Sequence, residues 1–297
     1  MILDGKIAAE SIKNSLKIKV DKLMDESKAI PHLAAVLVGL DGASMTYVSS
    51  KVKNCDDIGF RSTLHHFEDN VSEEEVLRTI EKLNTNPNID GILVQLPLPQ
   101  HISTEKVIAL IKPSKDVDGF HAVNVGKMIQ GLPGFIPATP YGIMLLLDYY
   151  KIETKGKHAV VIGRSNIVGR PVSILLSRNT EPGNCTVTLC HSNTVNLTEI
   201  CLQADIIVAA LGKPGFLKAG MVKEGCVVID VGITRVEDKS KRNGFRLAGD
   251  VDYANVAPKC SYITPVPGGI GPMTIAALLV NTFNACYPDN TINNFNS

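Results

Sequence analysis

Short, β-rich apolar runs alternate with segments of helical periodicity along most of the chain. This alternation is typical of βαβ units, in which helices cover both faces of a parallel sheet. The predicted strands cover residues 32–39, 62–67, 90–99, 158–163, 185–192, 204–211 and 225–233. The four in the second half of the chain are nearly all apolar, as central parallel strands should be. The pattern therefore predicts an α/β fold.

Helix signals separate these strands. Ser72 followed by Glu75 is a capping box, which places the start of one helix between the second and third strands. Thr139 can cap and Pro140 can begin a helix that leads into the second group of strands. A last apolar helix, over about residues 272–286, is long enough to return to the first half of the chain.

The length of 297 residues favours two domains. We place the first, catalytic domain at residues 1–145 together with 275–297. The second, a Rossmann-type nucleotide-binding domain, is placed at residues 146–274. No internal repeat is evident in the sequence. The expected architecture is two α/β domains, with the C-terminal helix packed on the first.

Charge and composition argue against several classes of partner. Lys plus Arg and Asp plus Glu both number 30, so the chain lacks the basic excess of proteins that bind nucleic acid or anionic lipid. No stretch approaches the roughly 18 apolar residues of a membrane span, and the start has no basic region followed by an apolar run. We therefore expect a cytoplasmic protein that acts on a small molecule, with no nucleic acid or membrane partner.

The seven cysteines are scattered and form no C-x-x-C pair. A set of this kind is expected to be reduced and mostly buried. None of the seven histidines shows metal-ligand spacing with Cys, Asp or Glu. The adjacent His65 and His66 are expected on opposite faces of a strand. We expect no metal site.

A candidate nucleotide site lies in the segment HAVVIGRSNIVGRP. A strand leads into a turn at Gly163, and a helix begins within residues 168–171, close to Gly169. Helix N-terminal amides can hold a phosphate in this geometry. The pattern is not G-x-G-x-x-G, because Ser165 stands where the middle glycine would be. A plain strand-to-helix turn is the alternative.

The choice of cofactor follows from the end of the next strand. NAD is usually held there by a carboxylate on its ribose, but this strand ends in CHSNT. Arg164, Ser165 and Ser192 could instead hold a 2′-phosphate, through the charge of the arginine and the hydroxyl groups of the serines. NADP is therefore favoured over NAD. The alternatives are a solvated surface charge for Arg164 and a post-strand cap for Ser192.

Tyr47 and Lys51 are four residues apart in TYVSSKVKNC, a predicted helix, so both side chains can reach a common ligand from one face. A lysine acts as an acid or base near neutral pH only when burial or a neighbour lowers its pKa. Gln95 is a polar amide in the apolar run GILVQLPLP, and it could hydrogen-bond the amine without adding charge. The alternative for Gln95 is a solvated position at a strand edge.

Two further segments carry candidate ligand contacts. In SKDVDGFH, Asp118 precedes a glycine, and a simple Asp-Gly turn is the alternative to a functional role. In TPVPGGIGPMT, prolines and glycines predict a stiff loop whose exposed backbone amides suit close approach to a flat ligand. This loop includes Pro267, Gly268 and Gly269, and it leads into a helix that Pro272 opens.

Taken together, these motifs resemble one known family. Their order matches the bifunctional methylenetetrahydrofolate dehydrogenase/cyclohydrolase family, and they read TYVSSKVKNC, VQLPLP, KDVDGFH, GRSNIVGRP, CHSNT, DVGI, GDVD and TPVPGGIGPMT. The resemblance covers nearly the whole chain. It implies NADP-dependent oxidation of 5,10-methylenetetrahydrofolate to the 5,10-methenyl cation, followed in the same cleft by hydrolysis to 10-formyltetrahydrofolate.

The resemblance also implies roles for the candidate residues. Lys51 would be the acid or base of the hydrolysis, and Gln95 would tune it. Tyr47 would orient the folate, and Asp118 would hold the amino edge of the pterin. The implied substrate contacts are Tyr47, Lys51, Gln95, Leu96, Asp118, Pro267, Gly268 and Gly269. The implied cofactor contacts are Gly163, Arg164, Ser165, Ser192, Ile233 and Thr274.

Members of this family are typically homodimers paired through their cofactor domains, so the resemblance implies a homodimer. The chain departs from the family pattern at Ala138, which replaces the cysteine of a common PCTP element. In addition, SRNTEPGNC lengthens a loop that is expected near the adenosine end of the cofactor, which bears on the choice of NADP over NAD.

Three alternatives to the bifunctional enzyme stay open. A shikimate-type NADP dehydrogenase shares the two-domain plan and a lysine, but it does not explain KDVDGFH or VPGGIGPMT. A nucleotide-sensing module without catalysis does not require the intact set Tyr47, Lys51, Gln95 and Asp118. The third alternative is an enzyme that retains only one of the two activities.

Overall fold

The computed structural model describes residues 1–39, 42–241 and 244–290. The described chain divides into two compact units. They are unit 1, Met1–Glu10 with Thr139–Thr274, and unit 2, Ser11–Ala138 with residues 275–290. Two long helices, α1 (Gly5–Asp25) and α10 (Ile270–Cys286), contribute residues to both units.

Unit 2 contains a three-stranded parallel sheet in the order β2-β1-β3. Its strands are β1 (His32–Val38), β2 (Arg61–Phe67) and β3 (Gly91–Val94). Its helices include α2 (Gly42–Asp57), α3 (Glu73–Thr85), α4 (Thr104–Leu110) and α5 (Ala122–Gln130). The central strand β1 is buried along its whole length. It shares one core with α3, β3 and α4, which includes Val36, Ile80, Ile92 and Val107.

Unit 1 contains a five-stranded parallel sheet in the order β10-β7-β6-β4-β5. Its strands are β4 (His158–Ile162), β5 (Thr186–Cys190), β6 (Ile206–Ala209), β7 (Cys226–Asp230) and β10 (Cys260–Ile263). An antiparallel hairpin consists of β8 (Thr234–Glu237) and β9 (Phe245–Ala248). The remaining helices are α6 (Ala138–Tyr149), α7 (Gly169–Ser177), α8 (Leu197–Leu202) and α9 (Tyr253–Val256).

The predicted elements occur, with three kinds of difference. The strand predicted over residues 90–99 is shorter, because β3 ends at Val94. All seven predicted strands occur, and the TYVSSKVKNC helix is part of α2. The strands β8, β9 and β10 were not predicted, because four residues are too few to show a clear period. The strand β5 lies at the edge of its sheet and is partly exposed, whereas its apolar run predicts a central strand.

Helix starts follow the capping signals to within two residues. Ser72 Oγ accepts a hydrogen bond from the Glu75 N–H at 3.2 Å, so the predicted cap of α3 is confirmed. The helix α6 begins at Ala138, one residue before the predicted cap Thr139. The helix α10 begins at Ile270, two residues before Pro272. In both cases the proline lies within the first turn, where its missing N–H costs no helical hydrogen bond.

The two sheets share a local repeat that the sequence alone does not reveal. A histidine opens a strand that has a neighbour on each side, an aspartate precedes one neighbour, and a threonine lies on the other. The three residues are His32, Asp90 and Thr63 in unit 2, and His158, Asp205 and Thr188 in unit 1. In each unit the backbone N–H of the histidine donates to the aspartate Oδ2, at 2.9 and 2.8 Å. The ring Nε2 of the same histidine contacts the threonine hydroxyl.

The cysteines have the state that their scattered positions predict. All seven cysteines are free and five of them are buried, as predicted. Within the described residues, no helix is both long and apolar enough to cross a membrane. In the same part of the chain, no group of three or more His, Cys, Asp or Glu residues is placed to hold a metal ion.

Candidate active site

Tyr47 and Lys51 lie one turn apart on α2, as their spacing predicts. The Lys51 Nζ lies 4.6 Å from the centroid of the Tyr47 ring, which is the geometry of a cation–π contact. Lys51 is only 4% exposed, whereas Lys53 in the same helix is exposed. One lysine of this segment is therefore removed from water and held against an aromatic face.

Gln95 follows directly after β3 and provides the polar partner of Lys51. The Lys51 Nζ donates to Gln95 Oε1 at 3.2 Å. The Gln95 Nε2 donates to the backbone carbonyl of its neighbour Leu96 at 2.8 Å, so the oxygen of the amide is the atom left to face the lysine. A neutral acceptor satisfies the lysine without the counter-charge that would raise its pKa.

Burial governs the ionisation of this group of residues. Loss of solvation lowers the pKa of Lys51, and the negative charge of Asp118 opposes that shift. Burial also raises the pKa of Asp118 to about 6; the Lys51 charge opposes this rise and the Asp116 charge adds to it. The pKa of Lys51 is thereby lowered from its usual value, and an amine of lowered pKa can more readily exchange protons with a substrate.

Asp116 and Asp118 are both buried in the KDVDGFH segment, but they have different partners. The Asp116 carboxylate accepts from the N–H groups of Phe120 and His121, at 3.2 and 2.8 Å, and from Asn124 Nδ2 at 2.9 Å. For the Asp118 carboxylate, the described residues provide no hydrogen-bond donor. Asp116 thus holds the segment in shape, and the Asp118 carboxylate is left for a ligand.

Asn281 on α10 supports the same segment through its side-chain amide. Its Nδ2 donates to the carbonyls of Val117 and Ile136, at 2.8 and 2.9 Å. The Asp118 carbonyl accepts from the Ala138 N–H at 3.2 Å. Asn281 is absent from the sequence predictions, although a signal exists: it is a lone amide in the apolar stretch AALLV-N-TF, the kind of feature that singles out Gln95.

In unit 1, two glycines shape the turn between β4 and α7. Gly163 has φ +118°, and a Cβ there would lie 2.1 Å from the Ala210 carbonyl oxygen. A Cβ on Gly169 would lie 1.9 Å from the Gly163 carbonyl oxygen. Only glycine fits at both positions, so the turn packs closely against Ala210 and the start of α7 packs closely against the turn.

Arg164, Ser165 and Ser192 lie at the carboxyl edge of this sheet, because they follow the adjacent strands β4 and β5. Arg164 is exposed, and no acidic side chain of the described residues pairs with it. Ser165 Oγ accepts from the N–H groups of Val168 and Gly169, at 3.2 and 3.3 Å. A hydroxyl that accepts two hydrogen bonds keeps its own proton for donation. This set fits a dinucleotide that carries an additional phosphate.

Ile233 and Thr274 lie near the start of α10 and differ in exposure. Ile233 is 52% exposed, and a Cβ on Gly271 would lie 3.3 Å from its Cδ1. Thr274 is buried, and its hydroxyl lies 3.1 Å from both the Thr139 hydroxyl and the Ile270 carbonyl oxygen. An exposed aliphatic side chain at a sheet edge is suited to contact with a flat ring, whereas the Thr274 hydroxyl is already engaged within the protein.

The TPVPGGIGPMT loop is held by the start of the chain. The Gly5 N–H donates to the Gly268 carbonyl at 2.8 Å, and a Cβ on Gly5 would lie 1.8 Å from the Gly269 carbonyl oxygen. Pro267 is exposed, but Gly268 and Gly269 are buried. The prediction of exposed amides throughout this loop is therefore wrong at Gly268 and Gly269, because Gly5 packs against them.

The expected position of SRNTEPGNC is also wrong. This segment precedes β5, so it lies at the amino edge of the sheet, opposite the edge that carries Gly163 and Ser192. It is anchored there to Thr154, whose Oγ1 accepts from the Gly183 N–H at 2.8 Å. Ligands of open α/β sheets bind at the carboxyl edge, so the longer loop has no bearing on the choice of cofactor.

Comparison with known proteins places both parts of the chain in one family. Residues 3–118 match the family described as "Tetrahydrofolate dehydrogenase/cyclohydrolase, catalytic domain". Residues 137–289 match "Tetrahydrofolate dehydrogenase/cyclohydrolase, NAD(P)-binding domain". The bifunctional protein FolD of Porphyromonas gingivalis is 57% identical over 284 residues, which cover 96% of each chain.

Solved structures agree with this placement. The bifunctional FolD enzyme of Campylobacter jejuni is 46% identical with a TM-score of 0.90, and the match covers 97% of this chain and 99% of that one. FolD of Trypanosoma brucei, solved with NADP cofactor and an inhibitor, is 37% identical with a TM-score of 0.92 over 97% and 98% of the chains. Shikimate dehydrogenase of Thermus thermophilus is only 16% identical with a TM-score of 0.54, so it shares the fold alone. The chain belongs to the tetrahydrofolate dehydrogenase/cyclohydrolase family, as a bifunctional enzyme with both the catalytic and the NAD(P)-binding domain.

Proposed function

We propose that this enzyme oxidises 5,10-methylenetetrahydrofolate with NADP and then hydrolyses the 5,10-methenyl cation to 10-formyltetrahydrofolate, with Lys51 as the acid/base of the hydrolysis. The observation that carries the proposal is a buried lysine of lowered pKa, held by the neutral amide of Gln95 and close to the Asp118 carboxylate. The bifunctional names of relatives more than 50% identical support it.

The oxidation requires the side chains to orient the substrate but not to transfer a proton. The carbon that loses hydride lies between two nitrogens, so the resulting cation is delocalised and the step needs orientation more than a base. NADP supplies the nicotinamide that accepts the hydride. In this proposal Tyr47 and Asp118 orient the folate, Leu96 contacts it, and no protein group moves a proton.

The hydrolysis does require proton transfer. A water oxygen bonds to the methenyl carbon and its proton passes to the neutral amine of Lys51. The bond between that carbon and N5 then breaks as the proton returns from the ammonium to N5. The remaining hydroxyl proton is released to water, so that the C–OH becomes the carbonyl of a formyl group on N10. An amine whose pKa is lowered by burial can perform both transfers near neutral pH. Gln95 keeps the Nζ in position throughout.

Asp118 is proposed to bind the pterin. Its carboxylate, which no described donor contacts, can accept two parallel hydrogen bonds from the amino edge of that ring. With a pKa of about 6, the group is ionised at neutral pH and can accept both. Because both reactions need the folate held, Asp118 serves both activities.

NADP is proposed as the preferred cofactor. Gly163 and Gly169 shape the turn that would receive the phosphates, and the exposed Arg164 is a cation without a described partner. The hydroxyl of Ser165 retains a proton to donate, and Ser192 is exposed at the same sheet edge. Ile233 is proposed to contact the nicotinamide, with Thr274 beneath it in the first turns of α10.

A homodimer paired through the NAD(P)-binding domains is proposed from the family resemblance. Light scattering coupled to gel filtration tests this proposal: a dimer has twice the chain mass of 32.0 kDa. A species of single-chain mass at micromolar concentration would contradict it.

The function is tested by one spectrophotometric assay of the purified enzyme. Methylenetetrahydrofolate is offered with NADP or NAD, and formation and decay of the methenyl product are followed separately. We expect formation with NADP, slower formation with NAD, and decay after the cofactor is exhausted. If the methenyl product forms but decays only at the spontaneous rate, the enzyme is a dehydrogenase without the hydrolase activity. If the methenyl product does not form, and added methenyl substrate is not hydrolysed, the proposal is contradicted.

A further inference from the structure

Two buried aspartates in unit 1 belong to motifs whose acidic residues have no role in the reaction described above. Asp230 ends β7 in the DVGI motif, and Asp250 lies in the GDVD motif after β9. Asp230 is 2% exposed and Asp250 is fully buried. Salt bridges among the described residues include neither carboxylate. Buried acids without a cation require another source of stabilisation.

Asp250 holds the loop that follows β6. Its Oδ2 accepts from the N–H groups of Leu211 and Gly212, and its Oδ1 accepts from the Lys213 N–H at 2.7 Å. These three consecutive amides belong to a loop at the carboxyl edge of the sheet, where ligands of this fold bind. One carboxylate thus sets the direction of three peptide groups.

Asp230 links the loop after β7 to the segment of Asp250. Its Oδ1 accepts from the N–H groups of Gly232 and Asp250, at 3.0 and 2.8 Å. Its Oδ2 accepts from the Val251 N–H at 3.0 Å. Ile233, the proposed nicotinamide contact, follows Gly232 directly, so the position of its backbone depends on this carboxylate.

Two glycines pack directly against the two carboxylates. A Cβ on Gly232 would lie 2.4 Å from Asp250 Oδ1, and a Cβ on Gly249 would lie 1.9 Å from Asp230 Oδ2. The Asp230 N–H donates to Thr264 Oγ1 at 2.7 Å, which ties the start of the TPVPGGIGPMT loop to the same network. The arrangement is therefore close-packed, and it connects the loops that follow β6, β7 and β10.

We propose that Asp230 and Asp250 are positioning residues for the cofactor, which hold residues 211–213 and 231–233 in the conformation that receives NADP. This inference rests on the proposed function. Neither residue contacts the reacting atoms. Their effect is on cofactor affinity, and it is separate from the hydrolysis, which consumes no cofactor and uses side chains of unit 2.

The test is the affinity for NADP of full-length Asp250→Asn, measured by calorimetric titration. Asparagine keeps the shape but replaces one acceptor oxygen with an NH₂ group that faces amide donors. We expect the NADP dissociation constant to rise about tenfold or more, as for loss of a charged acceptor. The KM for NADP should rise in parallel, while hydrolysis of methenyltetrahydrofolate stays within about twofold of the parent rate, a readout that general unfolding would not spare.

Asp230→Asn is the second variant, in case Asp250→Asn does not fold. Its remaining oxygen can keep the Gly232 and Asp250 donors, so we expect a smaller rise in the dissociation constant, about threefold to tenfold. The matched control is Asp205→Asn, which removes an acceptor for the His158 N–H at the opposite edge of the same sheet. This control should bind NADP as the parent does.

Two results would overturn the inference. One is a folded Asp250→Asn or Asp230→Asn variant with the parent affinity for NADP. The other is an equal loss of affinity in Asp205→Asn, which would reduce the effect to general destabilisation of the sheet. A parent enzyme that neither binds NADP nor oxidises methylenetetrahydrofolate would overturn the proposed function itself.

Discussion

The Lys51 Nζ lies 3.2 Å from Gln95 Oε1, and the two residues are 44 positions apart in the chain. The second hydrogen bond of that amide, from Nε2 to the Leu96 carbonyl at 2.8 Å, fixes which atom faces the lysine. Gln95 satisfies the buried amine without a counter-charge, so burial outweighs the Asp118 charge and the pKa of Lys51 is lowered. This relationship is the basis for the first two predictions.

Lys51→Met should remove the hydrolysis and leave the oxidation. Methionine keeps the bulk of the stem but has no amine, so hydrolysis of methenyltetrahydrofolate should fall by about 10² to 10⁴. NADP-dependent oxidation should remain measurable, and the methenyl cation should accumulate in the assay. Lys53→Met, at an exposed position of the same helix, is the control and should retain both activities. Hydrolysis at the parent rate in Lys51→Met would show that Lys51 is not the acid/base of this reaction.

Gln95→Glu should move the pH dependence of the hydrolysis upward. A carboxylate in place of the amide favours the ammonium form of Lys51, so the pKa of the lysine rises by about one unit or more. The rate at neutral pH then falls and recovers at higher pH. Gln95→Met removes the acceptor without adding charge and should slow the reaction without an upward shift. The same pH profile in Gln95→Glu and the parent would contradict the tuning role.

Both activities should fall at acidic pH because of the same group, Asp118. Its pKa, raised to about 6, makes the carboxylate ionised above that pH and neutral below it. A neutral carboxyl accepts fewer hydrogen bonds from the pterin, so kcat/KM for both folate substrates should fall as the pH drops through about 6. Asp118→Asn should raise KM in both assays and remove this fall at acidic pH. Loss of one activity alone would indicate a chemical role.

Arg164→Ala should discriminate between the two dinucleotides. If the guanidinium binds the 2′-phosphate, its loss should raise KM for NADP by about 10-fold to 100-fold, as for a charged hydrogen bond, and change KM for NAD little. Arg178→Ala, beyond the other end of α7, is the control for removal of a positive charge. Equal losses with NADP and NAD would show that Arg164 does not read the phosphate.

Asn281→Leu should loosen the segment that carries Asp118. Leucine fills the same space but leaves the carbonyls of Val117 and Ile136 without their donor. The free energy of unfolding should fall by about 1–3 kcal/mol, measured by urea denaturation. KM for the folate substrates should rise, with NADP affinity unchanged. A variant as stable as the parent would show that the two carbonyls find other donors.

Local patterns in the sequence are enough to predict much of this protein. Apolar runs place seven strands, helical periodicity places the α2 helix, and a hydroxyl followed by an acid places the start of α3. The same period puts Tyr47 and Lys51 on one helical face. The motifs in their order identify the family. Each of these features depends on residues that are neighbours in the chain.

Other features are decided only when distant segments meet. The spacing of Lys51 says nothing about its burial, which follows from the packing of unit 2 and lowers its pKa. Asn281 contacts a carbonyl 164 positions away, and Asp250 orients amides 37 to 39 positions earlier. A single sequence shows that these side chains are polar, but not which donors or acceptors they meet. Their role depends on desolvation and hydrogen-bond geometry, which exist only in the folded chain.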